Sequence, residues 1–177
     1  MNNIKTGYVS EMVDVVDSKN KFLFSIEKQE AHKKGLLHRT VLVQLINSKG
    51  EWILVKQSSD RQDAGQYVSP VGGHIRSGES EIEALRRETL EELGLRSFKH
   101  KFIGRGIFDR RILGRHENHY FILYEIYSDE KLKLGPEAES YKSFTKKEIK
   151  KLLKDNPKLF GNAFHFAVKT FHPNLLR

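Results

Sequence analysis

Two short runs near the start of the chain, residues 11–16 and 21–26, are rich in apolar and β-branched residues and flank Asp17-Ser18-Lys19-Asn20, a cluster of turn formers. That pattern predicts a hairpin. Residues 27–34 are polar and helix-compatible and end at Gly35, which predicts a helical turn or two. An apolar run over 38–46, turn chemistry at Asn47-Ser48-Lys49-Gly50 and a second apolar run over 52–55 predict another hairpin. Residues 57–70 have no sustained period and read as a loop, 71–75 as a short strand carrying Gly72 and Gly73. Further strands are expected over 98–108 and 120–127, with the basic segment 109–117 between them as a loop.

Two helices carry start and stop signals. Ser80 with Glu83 forms a capping-box pattern that Gly94 can close, and Thr145 with Glu148 forms another before Pro157. A last helix over 158–171 would place Phe160, Phe164 and Val168 on one side. Strands, a central helix, more strands and terminal helices predict an α+β fold, an α/β/α sandwich on a mixed sheet.

Composition narrows the classes. The 177 residues are 38% hydrophobic and 31% charged, enough apolar material for one core and too much for a disordered chain. No apolar stretch reaches the roughly 18–20 residues of a bilayer span, and the first residues lack the apolar core of a secretory signal, so a cytoplasmic protein is expected. The absence of cysteine excludes disulfides, thiolate metal sites and cysteine nucleophiles. The net charge of +8 is concentrated in residues 142–177, which hold nine Lys and Arg against two acids. These lysines read either as a nucleic-acid patch or as the solvated face of helices.

Candidate chemistry centres on residues 73–95. At about 100° per residue, Glu88, Glu91 and Glu92 share one helix face, beside a core face of Ile82, Leu85, Thr89 and Leu93. Three carboxylates so placed repel one another and call for a counter-charge. A hard divalent cation, Mg²⁺ or Mn²⁺, suits oxygen donors shared with substrate phosphates, and Gly72-Gly73 permits close backbone approach. The bland alternative is a solvated acidic face.

The spacing decides between them. Gly73, Glu79, Arg87, Glu88, Glu91, Glu92 and Gly94 fall at the positions of the Nudix box. At about 5–8% usage per residue type, seven such matches coincide rarer than about once in 10⁸ registers. The segment therefore resembles the Nudix hydrolase superfamily, with Thr89 departing from a usually apolar position. The resemblance implies a Nudix fold over 1–177, with 1–37 as an N-terminal hairpin extension, 73–95 as the box and 145–177 as C-terminal helices. It also implies divalent-metal-dependent hydrolysis of the diphosphate linkage of a nucleoside diphosphate derivative or related compound. Glu88, Glu92 and Gly73 would then serve the metal, Glu91 would be a ligand or base, and Glu79 with Arg87 would be structural. In the late loop, Glu139, beside Glu137, is a candidate catalytic carboxylate. Arg61, Arg105 and Arg110 are candidates for substrate phosphates, and Tyr67, Phe108 and Tyr141 for a nucleobase or for the core.

Residues 11–94 further resemble the isopentenyl-diphosphate isomerase branch of that superfamily, but Gly72 stands where the isomerase has its catalytic cysteine. That resemblance implies a second metal set, His32, His38, His74, Glu117 and His119, suited to Zn²⁺, Mn²⁺ or Fe²⁺. The alternatives are a non-catalytic nucleotide- or RNA-binding module and an isoprenoid-diphosphate enzyme. Expected partners are a small diphosphate substrate and no membrane, with a homodimer left open.

Overall fold

The computed structural model describes residues 10–177; the expectations that rest on residues 1–9, the missing secretory core and the start of the extension, lie outside the described residues. Among the described residues nine strands form one mixed sheet: β1 Met12–Val16, β2 Phe22–Glu27, β3 His38–Ile46, β4 Trp52–Gln57, β5 Tyr67–Val68, β6 Val71–His74, β7 Lys99–Ile112, β8 Arg115–Tyr127 and β9 Ala138–Phe144. The helices are α1 Lys28–Lys34, α2 Glu81–Leu93, α3 Lys146–Asp155 and α4 Asn162–Phe171. The α+β sandwich expected from the sequence is the one observed.

β3 organises the sheet. It runs parallel to β8 in the register His38↔His119 to Ile46↔Tyr127, and antiparallel to β6 in the register Thr40↔His74 to Val43↔Val71. Alternation along these strands separates two faces. Val41, Val43, Leu45, Ile122 and Ile126 pack with Ala84, Leu85 and Leu93 of α2. On the other face, Leu42, Phe121 and Leu123 meet Ala167 of α4, while Trp52, Leu54 and Phe144 meet Ile149, Leu153, Phe160 and Phe164. Thr89 is fully buried with no hydrogen bond from its hydroxyl, so it serves the core through its methyl group.

Both capping boxes form: Ser80 with Glu83 opens α2, and Thr145 with Glu148 opens α3. Four expectations are corrected. The basic segment 109–117 is not a loop: β7 and β8 continue to a two-residue turn at Leu113-Gly114, both with positive φ, the geometry that matches strand twist. The loop over 57–70 contains β5, and β9 lies where a loop was expected. Only Phe144 of β9 is buried, so this strand is held by backbone pairing to β4 and has no apolar period to betray it. The last helix does not run unbroken from 158. A 3-10 turn at Pro157–Leu159 precedes Gly161, whose N–H bonds the Tyr67 carbonyl, and α4 starts after it.

Candidate active site

A cavity of about 430 Å³ opens where β3, β6, β8 and α2 converge. Glu88, Glu91 and Glu92 line it together, as their helical spacing requires. Glu88 is buried, 8% exposed, and takes a hydrogen bond from Arg87. Arg87 also donates to both oxygens of Glu79, at 2.7 and 2.8 Å, and to the His74 carbonyl at 3.0 Å. The Glu79–Arg87 pair thus ties the loop before α2 to the helix and to the end of β6. Gly73 packs so closely on α2 that a Cβ there would stand 1.9 Å from the Glu88 carboxyl carbon.

The carboxylates are electrostatically unsatisfied. Burial, with Glu88 and Glu137 nearby, pushes Glu92 up to about 8. Burial also raises Glu88, against the pull of Arg87. The Gly72 N–H, at 3.5 Å from Oε1, gives Glu92 only a weak bond. Arg87, already bound to Glu79, is shared by Glu88 and Glu91, and among the described residues no salt bridge reaches Glu92; such crowded oxygen donors fit a hard divalent ion that also holds water and phosphate oxygens.

A cluster of four histidines adjoins the carboxylates, and three of them, His32, His74 and His119, line the same cavity. β3 carries His38, β6 His74 and β8 His119 on one sheet face, and α1 carries His32 over them. One potential ligand atom from each lies within 4.8 Å of all the others. The His38 Nδ1–H donates to the Leu36 carbonyl at 2.7 Å, and the His32 Nδ1–H to the His116 carbonyl at 3.2 Å. Both bonds leave Nε2 with its lone pair. Burial holds His32 and His38 down to about 4, and His74 and His119 well below the ordinary range, so all four rings are neutral at pH 7. Glu117, expected with this set, is instead held by Arg110, whose Nε–H donates to Oε2 at 2.6 Å.

The candidate phosphate-binding arginines divide. Arg61 lines the cavity and pairs with Glu137 at 3.1 Å. Arg110 lines it too, but its charge is spent on Glu117 and on both oxygens of Asp63, at 2.9 and 3.0 Å. Arg105 is paired with Glu81 and takes no part in the lining, because its position on β7 faces the α2 side. Glu139 is also outside: it sits at the register shift of the β4–β9 ladder, between Ala138 paired with Gln57 and Ser140 paired with Lys56, and its carboxylate lies 3.4 Å from Lys56. Of the three aromatics, Phe108 lines the cavity and stacks on Phe121, Tyr67 packs on Phe144, and Tyr141 is exposed outside it.

Several lining residues carry no motif. Glu11 and Lys28, paired at 2.7 Å, arrive with the N-terminal hairpin, and Arg115 comes from the β7–β8 turn. Leu42, Val55, Val68 and Ala163 complete an apolar wall. Their strands converge only through long-range pairing, which no local pattern encodes.

Residues 36–162 match the family model described as the NUDIX domain. An isopentenyl-diphosphate Delta-isomerase of Pectobacterium atrosepticum is 35% identical over 85 residues, 48% of this chain and 48% of its own length, so the chain spans about half of that curated relative. An uncharacterized Nudix hydrolase of Pseudomonas aeruginosa is 28% identical over 141 residues, 79% of this chain and 81% of its own. A crystal structure from Deinococcus radiodurans shares the fold with a TM-score of 0.74 at 20% identity, over 92% of this chain and 99% of that one. The NUDIX domain of Shewanella oneidensis NrtR, solved with ADP ribose, does so with a TM-score of 0.57 at 15% identity, over 78% and 87%.

Proposed function

This chain belongs to the NUDIX-domain family, and on that premise we propose that it hydrolyses the diphosphate linkage of a nucleoside diphosphate derivative or related compound, using Mg²⁺ or Mn²⁺. The observation that carries the reading is the set of three α2 carboxylates crowded at one wall of a cavity, with Arg87, itself bound to Glu79, shared between Glu88 and Glu91, and with burial raising Glu88 and Glu92.

Glu88, Glu91 and Glu92 would hold the cation, which when bound neutralises diphosphate charge and lowers the pKa of coordinated water. Arg87 fixes Glu88 in place, so the donor set is preorganised. Glu91, half-exposed and 3.6 Å from Arg87, is the carboxylate with most freedom to accept the proton of the attacking water. Arg61 and Arg115 reach the lining from two sides and can meet the phosphate oxygens. The group beyond the diphosphate would rest on the apolar wall of Leu42, Val55, Phe108 and Phe121.

Isomerisation of isopentenyl diphosphate is not proposed, since Gly72 has no side chain to give a proton and the chain has no cysteine. The test is a panel of diphosphates incubated with Mg²⁺ or Mn²⁺, with phosphate products resolved. Turnover of at least one substrate that is lost in Glu92→Gln supports the reading. Tight nucleotide binding without turnover would make the protein a binding module instead.

A further inference from the structure

We propose that this chain forms a two-fold homodimer in which β2 pairs antiparallel with β2 of a second copy, joining the two sheets edge to edge about Phe24. The surface is separate from the cavity and does not rest on the hydrolase reading.

β2 stands first in the sheet order β2-β1-β3-β4-β5, so one of its edges is open, and among the described residues no strand pairs with that edge. Phe22, Leu23 and Phe24 are 51%, 52% and 44% exposed. Between Lys21 and Glu27 there is neither proline nor charge, the residues that keep open edges from pairing. The ladder to β1 shows which backbone groups are left over. The Lys28 N–H donates to the Glu11 carbonyl, which makes Met12↔Glu27 a non-hydrogen-bonded pair. By alternation Phe24 spends its N–H and C=O on Val15, while those of Ser25 point to the open edge. At the register shift Val16 stands opposite Phe22 and gives its N–H to the Leu37 carbonyl, so Leu23 also keeps its backbone groups for the open edge.

The side chains single out a second copy as the occupant. Laid antiparallel on itself with Phe24 at the two-fold axis, the run Lys21-Phe22-Leu23-Phe24-Ser25-Ile26-Glu27 sets Lys21 opposite the partner's Glu27, Phe22 opposite the partner's Ile26 and Leu23 opposite the partner's Ser25. Opposite charges meet at both ends and apolar side chains toward the centre, each favourable across a strand pair. The backbone agrees with this register. It makes Leu23 and the partner's Ser25 a hydrogen-bonded pair, and these are the residues whose backbone groups face the open edge. Phe24, already bonded to Val15, falls at a non-hydrogen-bonded pair, where side chains approach most closely. One strand pair buries far less than the roughly 1,600 Å² of a standard interface, so the dimer should dissociate in the micromolar range. Its mechanical effect is local. β1 meets β3 at the one ladder position Val15↔His38, and a second copy braces the hairpin whose flanking residues, Glu11 and Lys28, line the cavity.

The test uses the full chain. Sedimentation equilibrium should show the mass rising from 20.6 kDa toward twice that value across the micromolar range. Over the same range, amide exchange at Leu23 and Ser25 should slow as the protein concentration rises. Lys21→Glu should weaken association by about tenfold, and Lys21→Glu combined with Glu27→Lys should restore it. Because the chain has no cysteine, Phe24→Cys places a single thiol beside its own copy. The α-carbons of a non-hydrogen-bonded pair stand about 4.5 Å apart, within disulfide reach. Mild oxidation should therefore link Phe24→Cys into a covalent dimer and leave Glu27→Cys, remote from its own copy in this register, unlinked. The proposal is overturned if the wild type stays at 20.6 kDa throughout, if the charge exchange fails to restore association, or if Glu27→Cys links as readily as Phe24→Cys. Exchange at Leu23 and Ser25 that ignores concentration overturns it too, and this wild-type measurement decides the matter even where a variant fails to fold.

Discussion

The α-carbon of Gly73 faces the carboxylate of Glu88 at a distance that leaves no place for a side chain, since a Cβ would meet the carboxyl carbon at 1.9 Å. Gly73→Ala must push Glu88 or α2 outward. The expected result is a loss of about 1–3 kcal/mol in stability from overpacking and a drop of more than about tenfold in kcat/KM through misplacement of a metal-holding carboxylate. Urea denaturation and steady-state kinetics on the same variant measure both, and wild-type kinetics would refute the link.

Glu92 gives a pH prediction. Its ordinary value of 4.5 is raised to about 8 by burial and by the neighbouring Glu88 and Glu137. At pH 7 without cation it is protonated, so Mg²⁺ or Mn²⁺ binding should release about one proton, and affinity should climb with pH until it levels above about 8. Because the folded value exceeds the unfolded one, the folded state binds more protons between them. The contribution of Glu92 to cation-free stability therefore declines as pH rises from about 4.5 to about 8. Calorimetric titration in buffers of different ionisation enthalpy measures the proton, and Glu92→Gln should abolish it.

Arg110 joins Asp63 of the 57–70 loop to Glu117 of β8, with all three side chains largely buried. Arg110→Met strands two carboxylates in the protein interior, for an expected loss of about 3–5 kcal/mol. Chemical denaturation reads this loss. A variant as stable as wild type would show that the trio is solvated in solution.

Leu113 occupies the first central position of the β7–β8 turn with φ of 48° and is 77% exposed. Leucine is strained there and asparagine is not. Leu113→Asn should raise stability by about 0.5–1 kcal/mol, or about 1–4 °C in Tm for a chain of this size. An unchanged or lower Tm would count against the turn geometry.

The lysines of α3 lie outside the cavity: Lys146, Lys147, Lys150, Lys151 and Lys154 are exposed, while Ile149 and Leu153 are buried. Replacing all five by Gln should leave turnover of a small diphosphate within about threefold, an allowance of roughly 0.65 kcal/mol in barrier. A larger loss, or salt-sensitive RNA binding removed by the change, would place a nucleic acid at this face.

What the sequence alone determined was local. The capping boxes at Ser80 and Thr145, the carboxylate face of α2 and the Glu79–Arg87 pairing depend on spacings within one or two turns, and such spacings survive in any tertiary context. The apolar run over 38–46 likewise marked a strand, β3, before any partner strand was known. What only the tertiary structure decided was convergence. β9 escaped notice because backbone bonds to β4 hold it, and Glu139 lies outside the cavity, at the register shift of that ladder and beside Lys56. Arg110 was legible as a cation, but its charge is already matched by acids 47 and seven positions away. The four histidines meet because β3 pairs with β6 on one edge and β8 on the other while α1 folds over them, and hydrogen bonds between distant strands leave no periodic mark on the sequence.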